Sequence, residues 1–190
     1  MTRFYQILLI ASVLGFSWLA MMGVHEAGHV LHAWLSGGEV TGVVLHPLAI
    51  SRTDYGKNPH PLFVAWGGAV WGGLLPAAVW LLVRRTVPAH AYLARFFAGF
   101  CLVANGAYLA AGSFFAGGGD DAGVLLQHGA EQWQLLGFGV PAFAGGLWLW
   151  NGLGPSFGLG IAGGRVDKKA AVGAGIALVL LALLFTVTCP

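Results

Sequence analysis

Five long apolar stretches constrain this chain more than any other feature. A helix that crosses a bilayer needs about 20 predominantly apolar residues, and residues 4–35, 62–83, 91–115, 133–150 and 170–188 each qualify. Only 8% of the residues are charged, against about 25% in an ordinary soluble domain. So few charges cannot cover a water-facing surface, and the mean hydropathy of +0.77 agrees. The expected fold is therefore one integral-membrane domain over residues 1–190: an all-α, polytopic protein with about five transmembrane helices.

The first stretch is unusually long. As one helix its 32 residues would reach roughly 48 Å, so it must tilt, bend or extend past the bilayer. Arg3, the apolar run and the small residues near Ala20 resemble a signal peptide. Cleavage there would strip the histidine motif at 25–29 of its anchoring turns, so the segment is expected to stay. Pro76 and Pro141 fall inside the second and fourth stretches, where proline removes a helical hydrogen bond and kinks the chain.

Lysine and arginine set orientation. With five spans, Arg3, Arg84, Arg85, Arg95, Arg165, Lys168 and Lys169 share the N-terminal side, and Arg52 and Lys57 lie on the other. This bias favours a cytoplasmic N-terminus. A net charge of +2 without a basic aromatic patch gives no reason to expect nucleic acid. Cys101 and Cys189 form neither a disulfide framework nor a CxxC metal ribbon.

Between the first two spans, residues 39–52 are rich in Val, Ile, Leu and Thr with Pro47 in the middle, which predicts a short hairpin or edge strand. Residues 117–131 are expected to form the other loop on that face. Gly67, Gly68, Gly72 and Gly73 lie about one turn apart in the second span, a spacing that lets helices approach closely in lipid.

The chemistry concentrates at His25-Glu26-Ala27-Gly28-His29. Residues i and i+4 share a helix face, so two imidazoles can grip one ion, with Glu26 placed as general base. This is the arrangement of zinc metalloproteases, in which zinc lowers the pKa of its water to about 7. Three ionisable groups within an apolar span are costly and mark a functional site. His32 lies on the same face and could be a further ligand, a hydrogen-bond donor behind the ligands, a substrate contact or an interfacial polar residue.

A catalytic zinc takes three protein ligands and keeps one position open. Asp120-Asp121, two adjacent carboxylates after Gly117–Gly119, are the leading source of the third. Either could instead cap the helix start before Ala122. Asp54, His46, His60, His128 and Glu131 are weaker candidates, and His90 lies on the opposite face. Asn105, inside the third span, could hydrogen-bond a substrate carbonyl or an oxyanion, or join two helices.

These residues resemble the site-2 proteases, a family of intramembrane zinc metalloproteases. HEAGH at 25–29 is similar to the family's first motif, and GGEVTGVVLHPLAI at 37–50 to the strand region next to it. GGAVWGGLLPA at 67–77 is similar to its small-residue core helix, and NGAYLAAGSFFAGGGDDAGVLL at 105–126 to the helix carrying an Asn and a metal-binding Asp. The resemblance implies Zn2+ held by His25, His29 and Asp121, with Asp120 as the alternative, and water activated by Glu26. It covers a core of about residues 4–126. The family's compact Asn-x-x-Pro…Leu-Asp-Gly pattern is absent, no regulatory domain is visible, and the charge bias turns the HExxH end outward.

The expected function is zinc-dependent cleavage of peptide bonds in membrane-spanning or membrane-anchored protein substrates. The alternatives are a non-proteolytic scaffold or metal-handling protein that keeps the site, and a hydrolase of small or lipid-like amides. The compact size fits a bacterial or archaeal inner membrane.

Overall fold

The computed structural model describes residues 2–115 and 120–188. In chain order it forms α1 (Thr2–Leu35), a hairpin of β1 (Val40–Val44) and β2 (Arg52–Tyr55), α2 (Pro61–Thr86), α3 (Ala91–Phe115), a short α4 (Asp121–Gln127), α5 (Gln132–Trp150) and α6 (Lys168–Thr188). Short 3-10 turns at Pro88–His90, Gly154–Phe157 and Gly160–Ala162 join the long helices. Among the described residues four helices are long and apolar enough to cross a membrane: α1, α2, α3 and α6. The protein is a multi-pass, essentially all-α membrane protein. Every backbone polar group inside hydrocarbon must be satisfied within its own segment, and helices do this.

The fifth expected span, α5, is not among those four, and it carries Gln132 and Gln134 in its first turn. It still runs the length of the bundle. The Gln132 amide reaches the Ser113 carbonyl at one end, and Trp150 donates to the Phe96 carbonyl at the other. Its 19 residues correspond to roughly 28 Å, the thickness of a hydrocarbon core.

The helices alternate in direction, which gathers the basic residues at one end. There Arg3 lies beside Gly164, Arg95 donates to the Asn151 carbonyl at 2.9 Å, and Asp167 caps α6 by accepting from the Lys169 amide at 2.8 Å. The opposite end holds the hairpin, α4 and the C-terminal turns of α1.

α1 ends on Gly37, whose φ of 74° closes a Schellman turn. Gly38 N–H bonds the Ala33 carbonyl at 2.8 Å and Gly37 N–H the Trp34 carbonyl at 3.3 Å. The chain then enters the antiparallel hairpin. Val43 pairs with Thr53 and Val44 with Arg52, with a register shift between Val40 and Gly42. The second strand lies at 52–55, beyond the 39–52 stretch, because Pro47 and its neighbours form the connecting loop.

Residues 120–127 depart from the loop expected at 117–131. Asp120 accepts from Gly123 N–H at 2.7 Å and starts α4, while Ala122 and Leu125 pack without exposure into a cluster with Ala65, Ala69, Leu109 and Leu135. That packing wedges α4 against α2 and α3. Gly117–Gly119 and Cys189 lie outside the described residues.

Candidate metal centre

His25 and His29 sit one turn apart on α1, and α4 brings Asp121 against both. His25 Nε2 lies 2.9 Å from Asp121 Oδ2, His29 Nε2 lies 3.3 Å from the same oxygen, and the two Nε2 atoms are 3.1 Å apart. Among the described residues this is the one group of three that could hold a metal ion. Zinc at about 2.0–2.1 Å from each ligand in a tetrahedron sets ligand separations of about 3.4 Å, so the triangle has nearly the size of one tetrahedral face.

The tautomers fit a metal as well. His25 Nδ1 is 2.7 Å from Asn105 Oδ1, and Asn105 Nδ2 donates to the Cys101 carbonyl at 2.8 Å. With its NH2 so engaged, Asn105 presents an oxygen, which can only accept; His25 therefore carries its proton on Nδ1. His29 Nδ1 is 2.8 Å from the Val64 carbonyl, which fixes the same tautomer. Both Nε2 lone pairs then point at a carboxylate oxygen. Three lone-pair atoms this close need a proton or a cation among them, and two imidazoles with one carboxylate are ligands that zinc accepts.

Glu26 is buried, at 3% exposure. Its Oε2 accepts from Thr53 Oγ1 at 2.7 Å. A cavity of about 950 Å³ opens onto Glu26, both histidines and Asp121. Trp18, Met22, Val64 and Val124 make its wall largely apolar, and Tyr55 and Tyr108 add hydroxyls. Burial pushes the Tyr55 phenol above its ordinary range, and the nearby Asp121 and Glu26 carboxylates push it the same way. Tyr55 is thus a neutral phenol at any physiological pH.

The two neighbouring aspartates divide their work. Asp120 caps α4, and Asp121 faces the histidines. His32 is turned away from that cluster. Its Nδ1 bonds the Phe63 carbonyl at 2.7 Å, its Nε2 accepts from Trp71 Nε1 at 3.0 Å, and its ring stacks on Phe63. Both nitrogens are used in pinning α1 to the start of α2. The weaker candidates are engaged elsewhere: His46 accepts from Leu48 N–H, Asp54 pairs with Arg52, His128 Nδ1 bonds the Val124 carbonyl, and His90 lies near Asp167 at the basic end.

Sequence reasoning missed Thr53 and Gly68. Nothing in the local sequence marks Thr53. Gly68 was visible as a small residue, but its role comes from position: a methyl there would stand 2.6 Å from His25 Nε2. Gly72 likewise leaves room for the Asn105 amide, 2.7 Å from where its Cβ would be. The chain matches no family model, no curated protein and no solved structure, so the motif and the geometry of the site carry the functional conclusion by themselves.

Proposed function

We propose that the protein is an intramembrane zinc endopeptidase that hydrolyses peptide bonds of membrane-spanning or membrane-anchored proteins. One observation carries this: His25 Nε2, His29 Nε2 and Asp121 Oδ2 converge with their lone pairs, beside a buried glutamate, on the wall of an apolar cavity. His25, His29 and Asp121 would hold the ion and leave its fourth position toward that cavity. Zinc, when bound, would supply a Lewis acid for the scissile carbonyl and lower the pKa of water to about 7.

Glu26 accepts a proton from the attacking water as its oxygen bonds to the scissile carbon. It then gives that proton to the leaving nitrogen as the C–N bond breaks. Asn105 and the Val64 carbonyl keep the imidazoles facing the cavity. A spanning substrate helix has its carbonyls tied up in its own hydrogen bonds, so it must unwind before cleavage. The β1–β2 hairpin beside the cavity offers such an extended segment a strand to pair with.

The test uses fluorescently labelled casein, an unfolded protein that needs no unwinding, with the full chain in detergent. Glu26→Gln is expected to keep its zinc and lose cleavage by at least about 100-fold. Wild-type rates in that variant would overturn the role of Glu26. A wild type that binds zinc but cleaves neither casein nor a single-span probe protein would favour a scaffold or metal-handling role.

A further inference from the structure

We propose that Thr53 is a positioning residue: its hydroxyl, delivered by the second strand of the hairpin, holds Glu26 in the orientation that general-base chemistry needs. This assignment rests on the proteolytic function proposed above and concerns a residue outside the metal-binding motif.

Strand alternation sends successive side chains to opposite faces. Arg52 and Asp54 share one face of the strand and pair with each other at 3.1 Å, both well exposed, although Arg52 also reaches the cavity lining. Thr53 and Tyr55 share the other face, and both line the cavity. Thr53 Oγ1 donates to Glu26 Oε2 at 2.7 Å, across 27 residues of chain. A hydroxyl has one proton to give, and here it goes to the carboxylate.

Glu26 lies on α1, where its own helix offers a long side chain several rotamers. The bond at Oε2 selects one of them and leaves Oε1 to take the proton from water. Val43 and Leu45 of the hairpin border the same turn of α1, in a groove shared with Glu26. Hairpin docking and the placing of the base are thus one event. A hairpin displaced from α1 would release Glu26, and a substrate strand that steadies the hairpin would steady the base.

The test compares Thr53→Val, which keeps the shape and removes the hydroxyl, with Thr53→Ser, which restores it. Both are made in the full chain, with labelled casein as probe, and zinc content and hydrogen exchange of the hairpin amides are read alongside. In Thr53→Val we expect kcat to fall about 10–100-fold, as for other groups that orient a catalytic residue. KM should stay within about twofold and zinc should stay at its wild-type level, because such a change acts on the transition state. Thr53→Ser should recover most of the loss. Exchange at residues 52–55 should quicken in Thr53→Val and in Glu26→Ala, and no further in the double variant.

A Thr53→Val enzyme with wild-type kcat would overturn the proposal. So would a kcat loss that Thr53→Ser does not repair. If the wild type cleaves neither casein nor a single-span probe protein, the proteolytic function fails separately and hydrogen exchange decides alone: a non-additive double variant upholds the Thr53–Glu26 contact, and additive or absent effects overturn it.

Discussion

The α1–α2 and α3–α5 crossings both bring glycine against glycine, yet only the first lies beside the side chains that could hold a metal ion. At the first, a methyl on Gly28 would collide with the Gly67 carbonyl, and one on Gly67 would meet His32 Cγ at 2.8 Å. At the second, Gly106 and Gly139 face each other, and a methyl on either would stand 2.6 Å from the other's carbonyl oxygen. Gly99 and Gly146 repeat the arrangement seven residues along. The two crossings differ in the neighbours of these glycines. After Gly67 comes Gly68, which makes room for two imidazoles, and then Gly72, which makes room for an amide. Around Gly106 and Gly139 the neighbours are Ala142, Phe143 and Ala110, so the surface is simply shared. Close approach in lipid rests on small residues; the same device, beside polar side chains, makes room for the candidate metal centre.

Substitutions can break this contrast. The largest effect is expected on metal binding. Gly68→Ala puts a methyl 2.6 Å from His25 Nε2 and 2.7 Å from His29 Cε1. The imidazoles must rotate away, and zinc affinity should fall by more than about 100-fold while helix content stays unchanged. Metal titration with circular dichroism checks both halves. Asp121→Ala should lose zinc comparably.

Gly106→Ala should do the reverse. Its methyl meets the Gly139 carbonyl and the Phe143 amide, backbone atoms that cannot swing aside. A loss of about 1–3 kcal/mol of stability is expected for such overpacking. The fraction that remains folded should bind zinc normally, as read from thermal unfolding in detergent.

Asn105→Ala sharpens the comparison from the side of the amide. His25 would lose the acceptor that fixes its tautomer, and zinc affinity should fall about 10–100-fold. Asp120→Ala should cost about 1 kcal/mol through the lost cap of α4, with zinc retained. That outcome would separate the two aspartates by function.

The smallest effect is expected at the basic end. Hydrogen bonds from the Ala170 and Lys169 amides hold the Asp167 carboxyl below its ordinary value of 3.8. A carboxyl with a depressed folded pKa adds stability above its unfolded pKa, and that contribution is lost as pH falls through the folded pKa. Wild type and Asp167→Ala should therefore differ in melting temperature near neutral pH and converge as the pH drops below about 3.8.

Much of this was legible in the sequence for a physical reason. The bilayer dictates helix length, so the apolar runs marked all five long helices to within three residues at either end. Spacing of four along a helix fixed His25 and His29 as partners. Spacing alone left Asp120 and Asp121 open, because the choice depends on where α4 begins; only the family resemblance favoured Asp121, the one that faces the histidines. The seven residues of α4 are too short to show a period. His32 shares the ligand face of α1, and only the placement of Phe63 and Trp71 shows that both its nitrogens are taken. Thr53 was invisible because a one-residue slip in hairpin register would have sent it to the other face.

Zinc K-edge absorption spectroscopy tests the metal centre most directly, on the purified full chain after loading with one equivalent of zinc. Two imidazole nitrogens and a carboxylate oxygen at about 2.0–2.2 Å are expected, with that signature lost in His29→Ala and in Asp121→Ala. A protein that takes up no zinc, or one whose zinc environment survives both substitutions, would contradict a centre built from His25, His29 and Asp121.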